Sequence, residues 1–266
     1  MPALGKPLLD RLVLAVLGIL ASLSIGSALR ADGWKEERLV GRFYCRANFP
    51  LSGYSGLLDE LARVQDDLTK MTGVPRAAEP VEMYLFDSQR TYRSYVENAF
   101  PQVPYRRALF VKGRGPGRVY VYRSGEMAVD MRHEGTHALL HAVLPMVPLW
   151  LDEGLAEYFE LPAAQHGMAA SHRRRVNLKL LVGRPPQLAD LEAKHDLADM
   201  SEADYSYSWA WTHFMLHGPP AAHDELVSFL RDIRQNTPPG VLSARLRQRL
   251  PDLENRFVHH FRTYGR

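Results

Sequence analysis

The residues best equipped for chemistry in this chain stand together in His133-Glu134-Gly135-Thr136-His137. On a helix turning about 100° per residue, positions i and i+4 share one face. His133 and His137 would then present two imidazoles to one point, where they can grip a divalent ion. Glu134 stands beside them, and a carboxylate there can take a proton from an activated water. Zinc suits this donor set, and the reaction class is metal-assisted hydrolysis, most often of a peptide bond. A surface helix with two spare histidines would carry the same letters, so the surroundings must decide.

A catalytic zinc takes three protein ligands and leaves a fourth position for water. His141 continues the His133/His137 face, but three ligands along one straight helix cannot surround an ion. His141 is therefore expected to support or pack. A third histidine in the extended HExxHxxGxxH pattern would fall where Val143 stands, with Leu140 at the glycine position, so that pattern is excluded. Glu153 remains. Residues 138–152 give the chain room to end one helix, turn, and start another running back beside it. Glu157, at i+4 from Glu153, is expected to accept a hydrogen bond from the outer nitrogen of His133 and fix its tautomer. Gly154 and Ala156 are small enough for close helix packing around an ion. The competing reading makes these acids the wet face of an amphipathic helix.

The two-part pattern, His133 to His137 followed by Trp150-Leu151-Asp152-Glu153-Gly154-Leu155-Ala156-Glu157-Tyr158-Phe159-Glu160, resembles the gluzincin metallopeptidases. That broad group includes thermolysin and the zinc aminopeptidases, and the similarity is greatest to its small peptidase MA-like bacterial branch. It is specific over residues 133–160 and weaker from about 42 to 214. The resemblance implies a zincin-like fold, a peptide or protein substrate, zinc held by His133, His137 and Glu153, and Glu134 as general base. It also implies a Tyr or His from a downstream helix as donor to the oxyanion. Tyr205, four residues before Trp209, matches that pattern, with Tyr207 and His213 as alternatives. Relatives pair extended substrate on an edge strand, for which residues 118–123 are the candidate. No GxMEN-like stretch precedes His133, which under the resemblance favours an endopeptidase.

The elements needed to position these residues are legible. Arg118 to Arg123 alternates and is β-branched and aromatic, so it reads as a strand. A turn at residues 124–126 leads into a helix over 128–143, which Pro145 and Pro148 stop. Further strands are expected over 41–48, 81–86 and 107–112, and a helix over 57–71 capped by Gly73. Ser88 reads as an N-cap. Helical periodicity recurs near 169–182, 204–217, 222–235 and 240–262. The fold class is α+β: a small mixed sheet with the HExxH helix in an N-terminal lobe (about 38–145), and a mostly helical C-terminal lobe (about 146–266), forming one domain over 32–266.

The first 31 residues are set apart. Lys6 and Arg11 precede an apolar run from Leu12 to Ile25, and Gly26-Ser27-Ala28 suits cleavage, so a signal peptide is expected. Extended over 12–29, the run could serve instead as a membrane anchor. Either way the domain is expected to be secreted or in the cell envelope. A single cysteine, Cys45, excludes an internal disulfide. A net charge of +3 does not argue for nucleic acid. The basic cluster His172 to Arg175 reads as a solvated helix face, with contact to an acidic substrate as the alternative. A different class of function also fits: a catalytically silent, zinc-stabilised binding module at the cell envelope.

Overall fold

The computed structural model describes residues 33–113 and 115–264. The expected signal peptide or anchor lies outside them. Among the described residues, no helix is long and apolar enough to cross a membrane.

Five strands form one mixed sheet: β1 (Glu36–Val40), β2 (Phe43–Ala47), β3 (Val81–Phe86), β4 (Ala108–Val111) and β5 (Arg118–Tyr122). Their order across the sheet is β1-β2-β3-β5-β4. The β2/β3 and β3/β5 pairs are parallel, while β1/β2 and β4/β5 are antiparallel. Strand alternation divides the side chains between two faces. Phe43, Cys45, Met83, Leu85, Phe110, Val119 and Val121 enter the main core. That face is covered by α1 (Ser55–Thr72) and α3 (Met127–His141). The opposite face carries Phe86, Leu109 and Tyr120 under α2 (Gln89–Ala99), which contributes Tyr92 and Val96.

Local signals behave as their chemistry dictates. Gly73 takes a left-handed φ of 71° and ends α1, its N–H bonding the Thr69 carbonyl. The Ser88 side chain accepts the Thr91 N–H and starts α2.

One expectation is corrected by the strand order. Residues 118–123 do not supply an edge: β5 is paired on both sides, by β3 and by β4. The edge on this side is β4. The hairpin folds the earlier strand outward, and the crossover from β3 places β5 inside.

Helix α3 is followed by α4 (Leu149–Phe159), and then by α5 (Ala170–Val182), α6 (Leu188–Glu192), α7 (Glu202–His217), α8 (Pro220–Arg234), α9 (Leu242–Arg249) and α10 (Leu253–Thr263). The helix expected over 240–262 is two helices. Pro251 follows Leu250 and lacks the N–H a continuous helix would need there. Ser201 opens α7 through a capping box with Asp204.

Helix α4 is central, packing on α3 and most extensively on α7. Every residue from Trp150 to Phe159 is buried, so it has no wet face. Two glycines permit the close approaches. A Cβ on Gly135 would stand 3.1 Å from Phe43 Cζ, so the missing side chain eases the close seat of α3 on the sheet. A Cβ on Gly154 would come within 2.5 Å of the Ser208 carbonyl oxygen. The small residue expected to let α3 and α4 close around an ion thus serves the α4–α7 crossing instead.

Candidate metal centre

Residues 133–137 lie within α3, and Glu153 lies in the first half of α4. The two helices bring three donor atoms together. His133 Nε2 and His137 Nε2 are 3.3 Å apart. Glu153 Oε2 is 3.8 Å from the first and 4.0 Å from the second. Two ligand atoms on a tetrahedral zinc, each at about 2.0–2.1 Å, stand about 3.3 Å apart. The nitrogens therefore match a tetrahedral edge, and Glu153 sits somewhat outside it. Both Glu153 oxygens are buried and have no hydrogen-bond partner among the described residues. A buried carboxylate left unpartnered carries a heavy desolvation cost unless a cation compensates it. The donor set thus fits a divalent ion held by His133, His137 and Glu153.

The outer nitrogens of both rings lie against carboxylates. His133 Nδ1 lies 3.2 Å from Glu160 Oε2, and His137 Nδ1 lies 2.9 Å from Asp152 Oδ1. The other Asp152 oxygen is 2.9 Å from His141 Nε2, so His141 steadies the acid that steadies His137. Arrangements of this kind fix the tautomer that presents Nε2 inward and raise ligand basicity.

The expected partner of His133 was Glu157, and this is corrected. Glu157 Oε2 meets His172 Nε2 at 2.8 Å, although its carboxylate stays close to His133 and Glu160. Glu160 takes the His133 contact because it ends α4 at i+7 from Glu153, where Arg132 clamps its carbonyl oxygen at 2.5 Å. His172 is correspondingly no solvated residue. It is buried, and its Nδ1 lies 3.0 Å from Ser206 Oγ. The signals for Asp152 and Glu160 were present in the sequence. Asp152 adjoins Glu153, and Glu153, Glu157 and Glu160 follow i, i+4, i+7.

The electrostatics single out Glu134. Burial raises its pKa to about 7, against the opposing pull of His133. The Phe110 backbone amide on edge strand β4 faces the carboxylate and favours its charged form, while Oε2 is buried without a partner among the described residues. For Glu153, burial pushes the pKa well above the usual carboxylate range, with His133 opposing. Burial also disfavours charge on Asp152, but His137 and His141 outweigh it and hold Asp152 below its ordinary value.

Tyr205 and its alternatives separate. The Tyr205 hydroxyl is buried without a hydrogen-bond partner among the described residues. Its pKa is raised by burial and by the carboxylates of Glu153 and Glu157, which puts it beside the centre. Tyr207 is partly exposed, and its hydroxyl feels burial, then Arg175 and Asp204. His213 belongs to a second cluster: its Nδ1 meets His260 Nε2 at 2.9 Å, and its ring packs on Trp209, His217 and Tyr264.

The pattern of a family described as "Protein of unknown function (DUF1570)" matches residues 127–239. That span opens at the first residue of α3 and closes after α8, so it encloses His133, Glu134, His137, Glu153 and Tyr205. No curated protein matches the chain.

Proposed function

We propose that this chain is a zinc-dependent peptidase of gluzincin type, with a zincin-like fold and the HExxH helix α3 at its centre. The observation that carries the reading is the convergence of His133 Nε2, His137 Nε2 and a buried, unpartnered Glu153 carboxylate, with donor separations of 3.3, 3.8 and 4.0 Å. A zinc ion held there would polarise a scissile carbonyl and acidify a water.

The chain's own residues supply the rest. Glu134, beside the Phe110 amide, accepts the proton of the attacking water at its unpartnered Oε2 and returns it to the leaving amine. Tyr205 donates a hydrogen bond from its hydroxyl to the developing oxyanion. The outer edge of β4 offers backbone groups to an extended peptide, as a sequence-tolerant added strand. Substrate bound there runs past Phe110 and so past Glu134. The apolar run over residues 12–25 points to export, with the domain acting outside the cytoplasm.

The test is purified protein incubated with a broad peptide library, wild type against Glu134→Gln, with metal content measured in both. Cleavage by wild type, its loss in the variant and equal zinc in each are expected. Stoichiometric zinc with no cleavage by wild type under any condition overturns the reading and favours a zinc-stabilised binding module.

A further inference from the structure

Arg106 and Arg107 lead into edge strand β4 and meet different fates. Arg107 forks onto Asp130 of α3, with contacts of 3.1, 2.9 and 2.6 Å. Arg106 makes no ion pair or hydrogen bond among the described residues, although its Nε is buried. It stands just before β4, and in that strand Ala108 and Phe110 turn to the face that packs on α3, where the Phe110 ring stacks 6.4 Å from that of His137. The Arg106 charge also reaches Tyr205, whose hydroxyl it makes more acidic against burial and the Glu153 and Glu157 carboxylates.

A buried guanidinium N–H with no partner is costly unless an acceptor visits it. No carboxylate of the centre lies in ion-pair contact with it. Its place is fixed on two sides: the edge that would hold an extended peptide, and the hydroxyl that would face the scissile carbonyl.

We propose that Arg106 forms a carboxylate-binding subsite, so that the preferred substrate is a peptide bearing an acidic group close to the cleaved bond. This rests on the peptidase reading of the centre. Arg offers a fork of N–H donors that matches a carboxylate. The acid could be an Asp or Glu side chain or a free C-terminal carboxylate, and both present the same two oxygens.

The experiment uses zinc-loaded protein and a matched peptide set: central Glu, Gln or Lys, each with a free or an amidated C-terminus. Binding is measured on the Glu134→Gln background, and kcat/KM on the active background. Arg106→Gln should weaken binding and lower kcat/KM for acid-bearing peptides by about tenfold or more, and leave neutral peptides within about twofold. Arg106→Glu should shift preference toward the Lys peptide, which also guards against a variant that merely folds poorly. A loss confined to the free C-terminus names that carboxylate, and a loss confined to Glu peptides names the side chain. Equal effects on acidic and neutral peptides, or none on either, overturn the proposal. Cleavage without Arg106 dependence removes the subsite and keeps the peptidase. Arg106-dependent binding of acidic peptides with no cleavage by the active protein removes the peptidase and keeps the subsite.

Discussion

Two histidine clusters share helix α7's neighbourhood and differ in one respect. Around α3 and α4, His133 and His137 each have a carboxylate at the outer nitrogen, Glu160 and Asp152. Around α7 and α10, His213 meets His260 at 2.9 Å and His217 meets the Tyr158 hydroxyl at 2.6 Å, with no carboxylate paired to any of the three among the described residues. In the first cluster the outer acids orient the rings and leave inner nitrogens facing a third donor. In the second, only one nitrogen of His213 is met by another ring, its Nε2 stays buried without a partner among the described residues, and the ring packs among Trp209, Phe261 and Tyr264. Burial and the neighbouring histidines push the pKa of His213 far below its ordinary value, and His260 down to about 4. Outer carboxylates, not histidine number, set the candidate metal centre apart from the aromatic cluster.

The comparison can be broken most severely at the inner donors. Glu153→Ala should abolish stoichiometric zinc binding and activity, while His213→Asn should leave zinc content unchanged, as read by metal analysis of the purified proteins. Glu134→Gln should keep the zinc and lower kcat by about 100- to 10,000-fold. The outer acids come next. Asp152→Asn or Glu160→Gln should weaken zinc affinity by about 10- to 100-fold, measured by competition with a chelator; wild-type affinity in either would mean the outer acids only pack.

Smaller effects sharpen the second cluster. Gly154→Ala forces a methyl onto Ser208 and Thr212 where α4 crosses α7. It should cost about 1–3 kcal/mol in urea unfolding and loosen both clusters, since α4 carries Glu153 and Tyr158 while α7 carries Tyr205 and His213. The histidines of the second cluster also predict acid sensitivity. Their folded pKa values are depressed, so the unfolded chain takes up protons near pH 6.5 that folded His260 refuses until about pH 4. Stability should be full above that unfolded value and fall as pH drops through the window, by up to about 1.4 kcal/mol per pH unit for each such proton. His217, His259 and Tyr264 surround His260, and His260→Asn should flatten the slope. An unchanged slope would move the effect to other groups.

Much of this architecture was legible because its signals are local. The strand at 81–86, the Ser88 cap, the Gly73 stop and the α3 helix follow from periodicity and capping chemistry. Glu153 followed from counting ligands, since one straight helix cannot surround an ion. Strand β1 and the short helix α6 went unread, because Glu36 to Val40 carries little apolar alternation and Leu188 to Glu192 is only one turn long. Arg106 carried no local signal at all.

The sequence by itself determined which residues could share a helix face and which donor types stood there: His133, Glu134, His137 and Glu153. The tertiary structure alone decided which strand is the edge, β4 instead of β5, because hairpins and crossovers set strand order through long-range pairing. It alone assigned Glu160 to His133 and Glu157 to His172, because the rotation of α4 about its axis is set by packing against α3 and α7. It alone set Tyr205 beside the centre and His213 away from it. Those residues lie two turns apart on one helix, and only the neighbours of α7 give its two ends different chemistry.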